Sequence, residues 1–201
     1  MGCMDAIKLL TEDHRSVERL FKAYERAGER AIKEKQRLAE QVIRELSIHA
    51  SIEEQFLYPT TRELSDKLNS QVLEALEEHH LAKATLAELE KMSPRDERFE
   101  AKMTVLIENI RHHVEEEEED LFPTLKRLMD SAGLAVLGEA MEAAKKVAPT
   151  HPHPMAPDSP PGNIVSGALA SILDSGKDLV RGTARSARRA VTERLHPRPS
   201  R

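Results

Sequence analysis

The chain of 201 residues contains one cysteine, Cys3, so no disulfide can close within it. Tryptophan is absent, aromatic residues make up 3%, and there are eight glycines. Ala, Glu, Leu, Lys and Arg are abundant instead, and that balance favours an all-helical protein over a sheet. No apolar run approaches the ~20 residues of a membrane span, and no signal peptide precedes the first helical pattern. The expectation is a cytoplasmic protein without a transmembrane segment. Met-Gly-Cys at the start invites a lipidation reading, but position 6 is Ala6, where a myristoylation signal wants Ser or Thr. No organic-cofactor motif is readable, so an organic substrate is not supported.

The formal net charge of -5 conceals an asymmetry. Gly176 to Arg201 holds eight Lys/Arg and two acids, a balance of +6, which leaves -11 on residues 1–175. Three segments follow: a helical body over 1–147, a Pro-rich linker over 148–162 expected to be extended and poorly packed, and a basic amphipathic tail over 163–201. In the tail Lys177, Arg181, Arg185 and Arg188 form a basic stripe beside an apolar one that includes Val165, Ile172 and Val180. Such a stripe suits an anionic membrane or nucleic acid. The acidic body is a competing target.

Within the body, apolar residues recur at helical spacing. Ile7, Leu10, Val17, Phe21 and Tyr24 mark a first helix with His14 in its stripe. The second pattern runs from about Lys33 to Lys67 and carries His49 and Glu53, with Pro59 expected to kink it. Asn69 or Ser70 opens the third, which carries His79. Ser93-Pro94 reads as the cap and first residue of the fourth, which carries His113 and Glu117 and ends at Gly133. A short fifth helix is expected over about Leu134 to Val147. Four long helices with short connections predict an up-down-up-down four-helix bundle.

Two stretches repeat a pattern of eleven residues, HASIEEQFLYP from His49 and HVEEEEEDLFP from His113. In each, a His and a Glu four apart share one helix face. The order is a doubled set: lone His, His-x3-Glu, lone His, His-x3-Glu. His14, His49, Glu53, His79, His113 and Glu117 all fall in core-facing slots. Burying six polar groups without a metal would cost several kcal/mol, so the pattern points to a metal site. His79 is preferred to His80 because it continues the Val72-Leu76 stripe, and His113 to His112 because it alone is in register with the His49 repeat. The remaining acids of Glu115 to Asp120 read as a solvated face. Tyr24 and Tyr58 read as core residues near the centre.

The motifs EDHRSVERLF, SIHASIEEQFLYP, EEHHLAKATLAEL and HHVEEEEEDLFP together resemble the hemerythrin-like HHE cation-binding family, over roughly residues 5–130. The resemblance implies a non-haem centre of two irons per chain, with Glu53 and Glu117 as the bridging carboxylates. It also implies oxygen, peroxide or nitric oxide as the small ligand. Oxygen-carrying hemerythrins have two His four apart in the third-helix motif, whereas here His79 is followed at that spacing by Lys83. With ~6 positions per iron, that substitution leaves about two positions open, which favours reaction or sensing over reversible oxygen carriage. Control of a binding module through the tail, or iron storage, are the alternatives.

Overall fold

The computed structural model describes residues 4–156. It is all-helical over these residues, in the order α1 (Ala6–Arg26), α2 (Ile32–Ile52), a π turn (Glu53–Leu57), α3 (Tyr58–Leu64), a 3-10 turn (Asp66–Leu68), α4 (Asn69–Leu89), α5 (Phe99–Glu116), a second π turn (Glu117–Leu121), α6 (Phe122–Leu128) and α7 (Ser131–Lys145). Two of the four arms are composite rods, α2 with α3 and α5 with α6. The arms pack as an up-down-up-down four-helix bundle, with α1 on α2, α4 on α5 and α2 on α4. The fifth helix, α7, lies across α1, α2 and the first π turn.

Local chemistry explains most of the element ends. The Asp5 carboxylate accepts from Lys8 N at 2.9 Å and caps α1. Asp130 does the same for α7 through Gly133 N at 2.8 Å. Gly133 therefore stands in the first turn of α7 rather than closing the preceding helix. Ser93-Pro94 does not begin α5. Ser93 N donates to Asp96 Oδ2 at 2.7 Å in a tight turn, and the helix starts at Phe99. Nor does Asn69 or Ser70 cap α4, whose preceding 3-10 turn runs directly into it.

Pro59 and Pro123 act through a widened turn rather than a simple kink. Each lacks the N–H that would bond four residues back, and its ring crowds that carbonyl. The chain responds with a five-residue step, Tyr58 N–H to Glu53 C=O and Phe122 N–H to Glu117 C=O. In an α-helix, residues five apart point about 140° away from each other. The π turn instead brings Tyr58 back over Glu53.

The buried apolar residues divide into two clusters. One gathers Leu10, Ile52, Tyr58, Val72, Leu125 and Leu137; the other gathers Val17, Phe21, Leu46, Leu86, Met103 and Ile110. His14, His49, His79 and His113 fall between the two along their helices. Gly138 lets α7 approach closely, since a Cβ there would meet Met4 O and lie 2.7 Å from Ala6 N.

The segment 148–156 is packed rather than extended. His151 Nδ1 lies 2.5 Å from Glu90 Oε1, Pro152 is buried, and Pro149 to Ala156 faces Ser47, Ala50, Glu54 and Lys83 on the α2/α4 seam. The rest of the Pro-rich stretch and the basic tail 163–201 lie outside the described residues, as does Cys3.

Candidate metal centre

All six side chains singled out by periodicity meet in the layer between the two apolar clusters. His14, His49, Glu53, His79, His113 and Glu117 are each 5% exposed or less, in a protein whose interior would otherwise exclude such groups. The α2 rod places His49 and Glu53 one turn apart, with His49 Nε2 3.1 Å from Glu53 Oε2. The α5 rod repeats this with His113 Nε2 3.8 Å from Glu117 Oε2. Each carboxylate also meets the lone histidine of another arm. Glu53 Oε2 is 3.4 Å from His79 Nε2, and Glu117 Oε2 is 3.3 Å from His14 Nε2. Two overlapping donor sets result: His14, His49, Glu53 and Glu117, then Glu53, His79 and His113. Glu53 belongs to both.

Behind the histidines stand four carboxylates that helical periodicity alone does not single out. His14 Nδ1 is 2.8 Å from Glu118 Oε1, His79 Nδ1 is 3.0 Å from Glu54 Oε1, and His113 Nδ1 is 2.6 Å from Glu78 Oε2. His49 Nδ1 lies 3.7 Å from Asp13 Oδ2. The arrangement has an internal order. The acid following each paired Glu, Glu54 or Glu118, supports a lone histidine; the acid preceding each lone histidine, Asp13 or Glu78, supports a paired one. Glu118 thus reaches back from the acidic run to the centre, although it remains 39% exposed. Lys83 is buried, and its Nζ donates to Glu54 Oε1 at 2.9 Å, anchoring the oxygen that also receives His79.

A carboxylate at Nδ1 accepts, so Nδ1 carries the hydrogen and Nε2 keeps its lone pair. His14, His79 and His113 therefore turn lone pairs inward, and His79 and His113 bring theirs to 3.2 Å. Inside the layer, His14 Nε2, His49 Nε2, both oxygens of Glu53 and Glu117 Oε2 have no hydrogen-bond partner. Lone pairs and carboxylate oxygens facing one another in a dry core are a donor set for a cation. His80 is exposed, and His112 is 64% exposed in its side chain.

The electrostatics carry the same strain. Burial, then the neighbouring Glu117, pushes the Glu53 carboxyl well above the ordinary carboxylate range. Glu117 is held low despite its burial, because His113 and His14 face it. Burial drives His49 down to about 4 and lowers His79 as well. For His14, burial is outweighed by Glu117 and Glu118, which raise it.

Tyr58 does more than fill the core near the centre. Its hydroxyl donates to Glu117 Oε1 at 3.0 Å and lies 3.2 Å from His79 Nε2 and 3.4 Å from His113 Nε2. The π turn before it makes this reach possible. Tyr24 is elsewhere, donating to Glu100 Oε2 at 3.1 Å.

Residues 5–125 match the hemerythrin HHE cation-binding domain. The chain is 27% identical over 170 residues to a hemerythrin-like protein of Schizosaccharomyces pombe, covering 84% of this chain and 83% of that one. It is 26% identical over 145 residues to a DNA nickase of a Nostoc strain, covering 72% of this chain but 39% of the nickase. The crystal structure of a hemerythrin HHE cation-binding domain-containing protein from Mycobacterium kansasii has the same fold, with a TM-score of 0.60, 22% identity, and coverage of 91% of this chain and 96% of that one. With its doubled His/His-x3-Glu set gathered in one buried layer, the chain belongs to the hemerythrin HHE cation-binding domain family.

Proposed function

We propose that the buried layer holds two iron ions, shared by Glu53 and Glu117, and that this centre reacts with or senses oxygen, peroxide or nitric oxide. The observation that carries the reading is the inward set of histidine lone pairs, locked by Glu118, Glu54 and Glu78 at Nδ1, around two buried carboxylates. Iron so held supplies reversible one-electron chemistry and affinity for small oxygen and nitrogen ligands.

The surroundings favour a small reactant. A cavity of about 20 Å³ borders all four histidines, with Val17, Leu46, Leu86 and Ile110 around it. That is room on the order of one water-sized molecule. Outside it, a groove of about 530 Å³ between α1 and α5 has an apolar floor of Val17, Phe21, Ile110 and Val114 and reaches His14. Arg15, Arg19, Lys22 and Arg111 line it together with Glu18 and Glu118, so a neutral small molecule meets mixed charge there rather than one sign.

Two features favour reaction over carriage. Lys83, at the spacing where oxygen carriers place a further histidine, is committed to Glu54. The Tyr58 hydroxyl is placed to donate a hydrogen bond or a proton within the centre. The test is to reduce the iron-loaded chain anaerobically, add oxygen, and then flush with argon. A reactive centre does not recover the reduced spectrum, whereas full recovery over repeated cycles identifies a carrier and contradicts this reading.

A further inference from the structure

The α4/α5 seam holds a second group of metal-ligating side chains, joined to the buried layer through Glu78 alone. Glu78, His112 and Glu116 each bring one ligand atom to within 4.8 Å of the others. His112 Nε2 is 3.4 Å from Glu116 Oε1. Glu78 Oε2 accepts from His113 Nδ1 at 2.6 Å, and one carboxylate oxygen of Glu78 is among the three gathered ligand atoms. One imidazole with two carboxylates is a donor set for a first-row divalent cation.

Glu78 and Glu116 of the group open onto a cleft of about 80 Å³, with His112 beside it on the surface. Glu74, Glu78, Glu116 and Asp120 line it, and His113 and Glu117 of the buried layer form its inner wall. Glu117 is 2% exposed and lines this cleft beside His113, so the acidic approach ends on a carboxylate of the buried layer. Carboxylates lining a narrow cleft concentrate cations there.

The other half of the bundle shows what the same positions look like without such a cleft. Aligning His49 with His113 sets Ile48 against His112 and Ile52 against Glu116, and aligning His14 with His79 sets Asp13 against Glu78. Ile48 and Ile52 are buried, and Asp13 Oδ1 is taken by Lys145 Nζ of α7 at 2.5 Å. There α7 closes the seam. On the α4/α5 side a histidine and one acid, His112 and Glu116, replace the isoleucines, and among the described residues no helix is laid over them.

We propose that Glu78, His112 and Glu116 form a loading site, which takes a divalent cation from solution and passes it along the cleft to His113 and Glu117. The transfer half of this proposal rests on the metal-centre reading above. Glu78 links the two places, since it touches the loading cluster on one side and the His113 ring on the other.

The experiment follows cobalt(II) uptake by the full chain, stripped with a chelator, through the visible absorbance of bound cobalt. Wild type is compared with His112→Ala/Glu116→Gln. Both positions are exposed, and matching melting curves establish that the variant is folded. The proposal expects the double variant to load about tenfold or more slowly and to reach the same buried stoichiometry, having lost one additional, readily chelated ion per chain. An unchanged loading rate overturns the proposal, whether or not a surface ion is seen. A wild-type endpoint without buried cobalt contradicts the metal-centre reading, shows in the wild type alone, and overturns the transfer with it.

Discussion

Tyr58 and Phe122 occupy equivalent places in the two halves of the bundle, each following a π turn and preceding a proline, and only Tyr58 carries an oxygen. The Phe122 ring stacks on His14 at 5.7 Å and 7°. The Tyr58 ring sits beside His79 at 5.3 Å, and its hydroxyl continues to Glu117. The pseudo-twofold order of histidines and carboxylates is thus broken inside the centre by one hydroxyl. Burial, followed by Glu117 and Glu53, raises the Tyr58 phenol well above its usual range, so the group is a neutral donor.

Tyr58→Phe should make the two halves alike while leaving the layer packed. Metal content is expected to stay at the wild-type level. If the hydroxyl delivers a proton, the rate of reaction with peroxide should fall by roughly 10²-fold or more. Stopped-flow absorbance on iron-loaded protein checks this, and an unchanged rate removes Tyr58 from the chemistry.

Glu53→Gln should raise the melting temperature of the metal-free chain while abolishing its metal-dependent rise. The sign follows from the raised carboxyl. Folded Glu53 holds its proton at a pH where the unfolded one has lost it. Its contribution is therefore present below about pH 4.5 and is lost as pH rises through the folded value. Above the unfolded value, keeping this buried carboxyl in the fold costs the empty protein stability, and a neutral isostere relieves that. In wild type, metal at 1,000 times its Kd should add about 4 kcal/mol. Melting curves of both proteins, with and without metal, from pH 5 to 8 decide the matter.

Glu54→Gln should weaken metal binding by about 10- to 100-fold, as loss of a carboxylate behind a ligating histidine does. The effect has two parts, because Glu54 fixes the His79 ring and also neutralises buried Lys83. Lys83→Met combined with Glu54→Gln should recover stability but not affinity. Competition with a chromogenic chelator measures the affinity; recovery of both would place Glu54 outside the centre.

Gly138→Ala should destabilise the fold by about 1–3 kcal/mol, because the added methyl meets backbone at Met4 and Ala6 rather than a side chain that can move. Denaturant unfolding measures the loss. Metal stoichiometry of the folded fraction should not change.

The convergence of His14, His49, Glu53, His79, His113 and Glu117 was legible in the sequence because each arm contributes residues spaced along one helix face, and a period of three and four is visible in a single segment. His14 and His79 share the offsets of their following apolar residues, and His49 and His113 each carry a Glu four residues on. The outer carboxylates were not legible in that way, because Asp13, Glu54, Glu78 and Glu118 act on histidines of other arms. Their one sequence trace was adjacency: each is next to a predicted ligand. Pro59 and Pro123 were readable as interruptions but not as π turns, since a missing N–H permits either a kink or a five-residue step. The choice falls on the step that places Glu53 and Tyr58 on one side. Composition made 148–156 read as a linker, whereas its packing depends on His151 meeting Glu90 across the fold.

Metal analysis of the purified full chain, beside His79→Ala and His80→Ala, decides whether the buried histidines and carboxylates hold metal. The two positions are adjacent in sequence, yet one turns its ring into the layer and the other is exposed. Wild type and His80→Ala are expected to hold about two irons per chain, and His79→Ala clearly fewer. Wild-type protein without metal, or equal loss in both variants, would contradict the metal-centre reading.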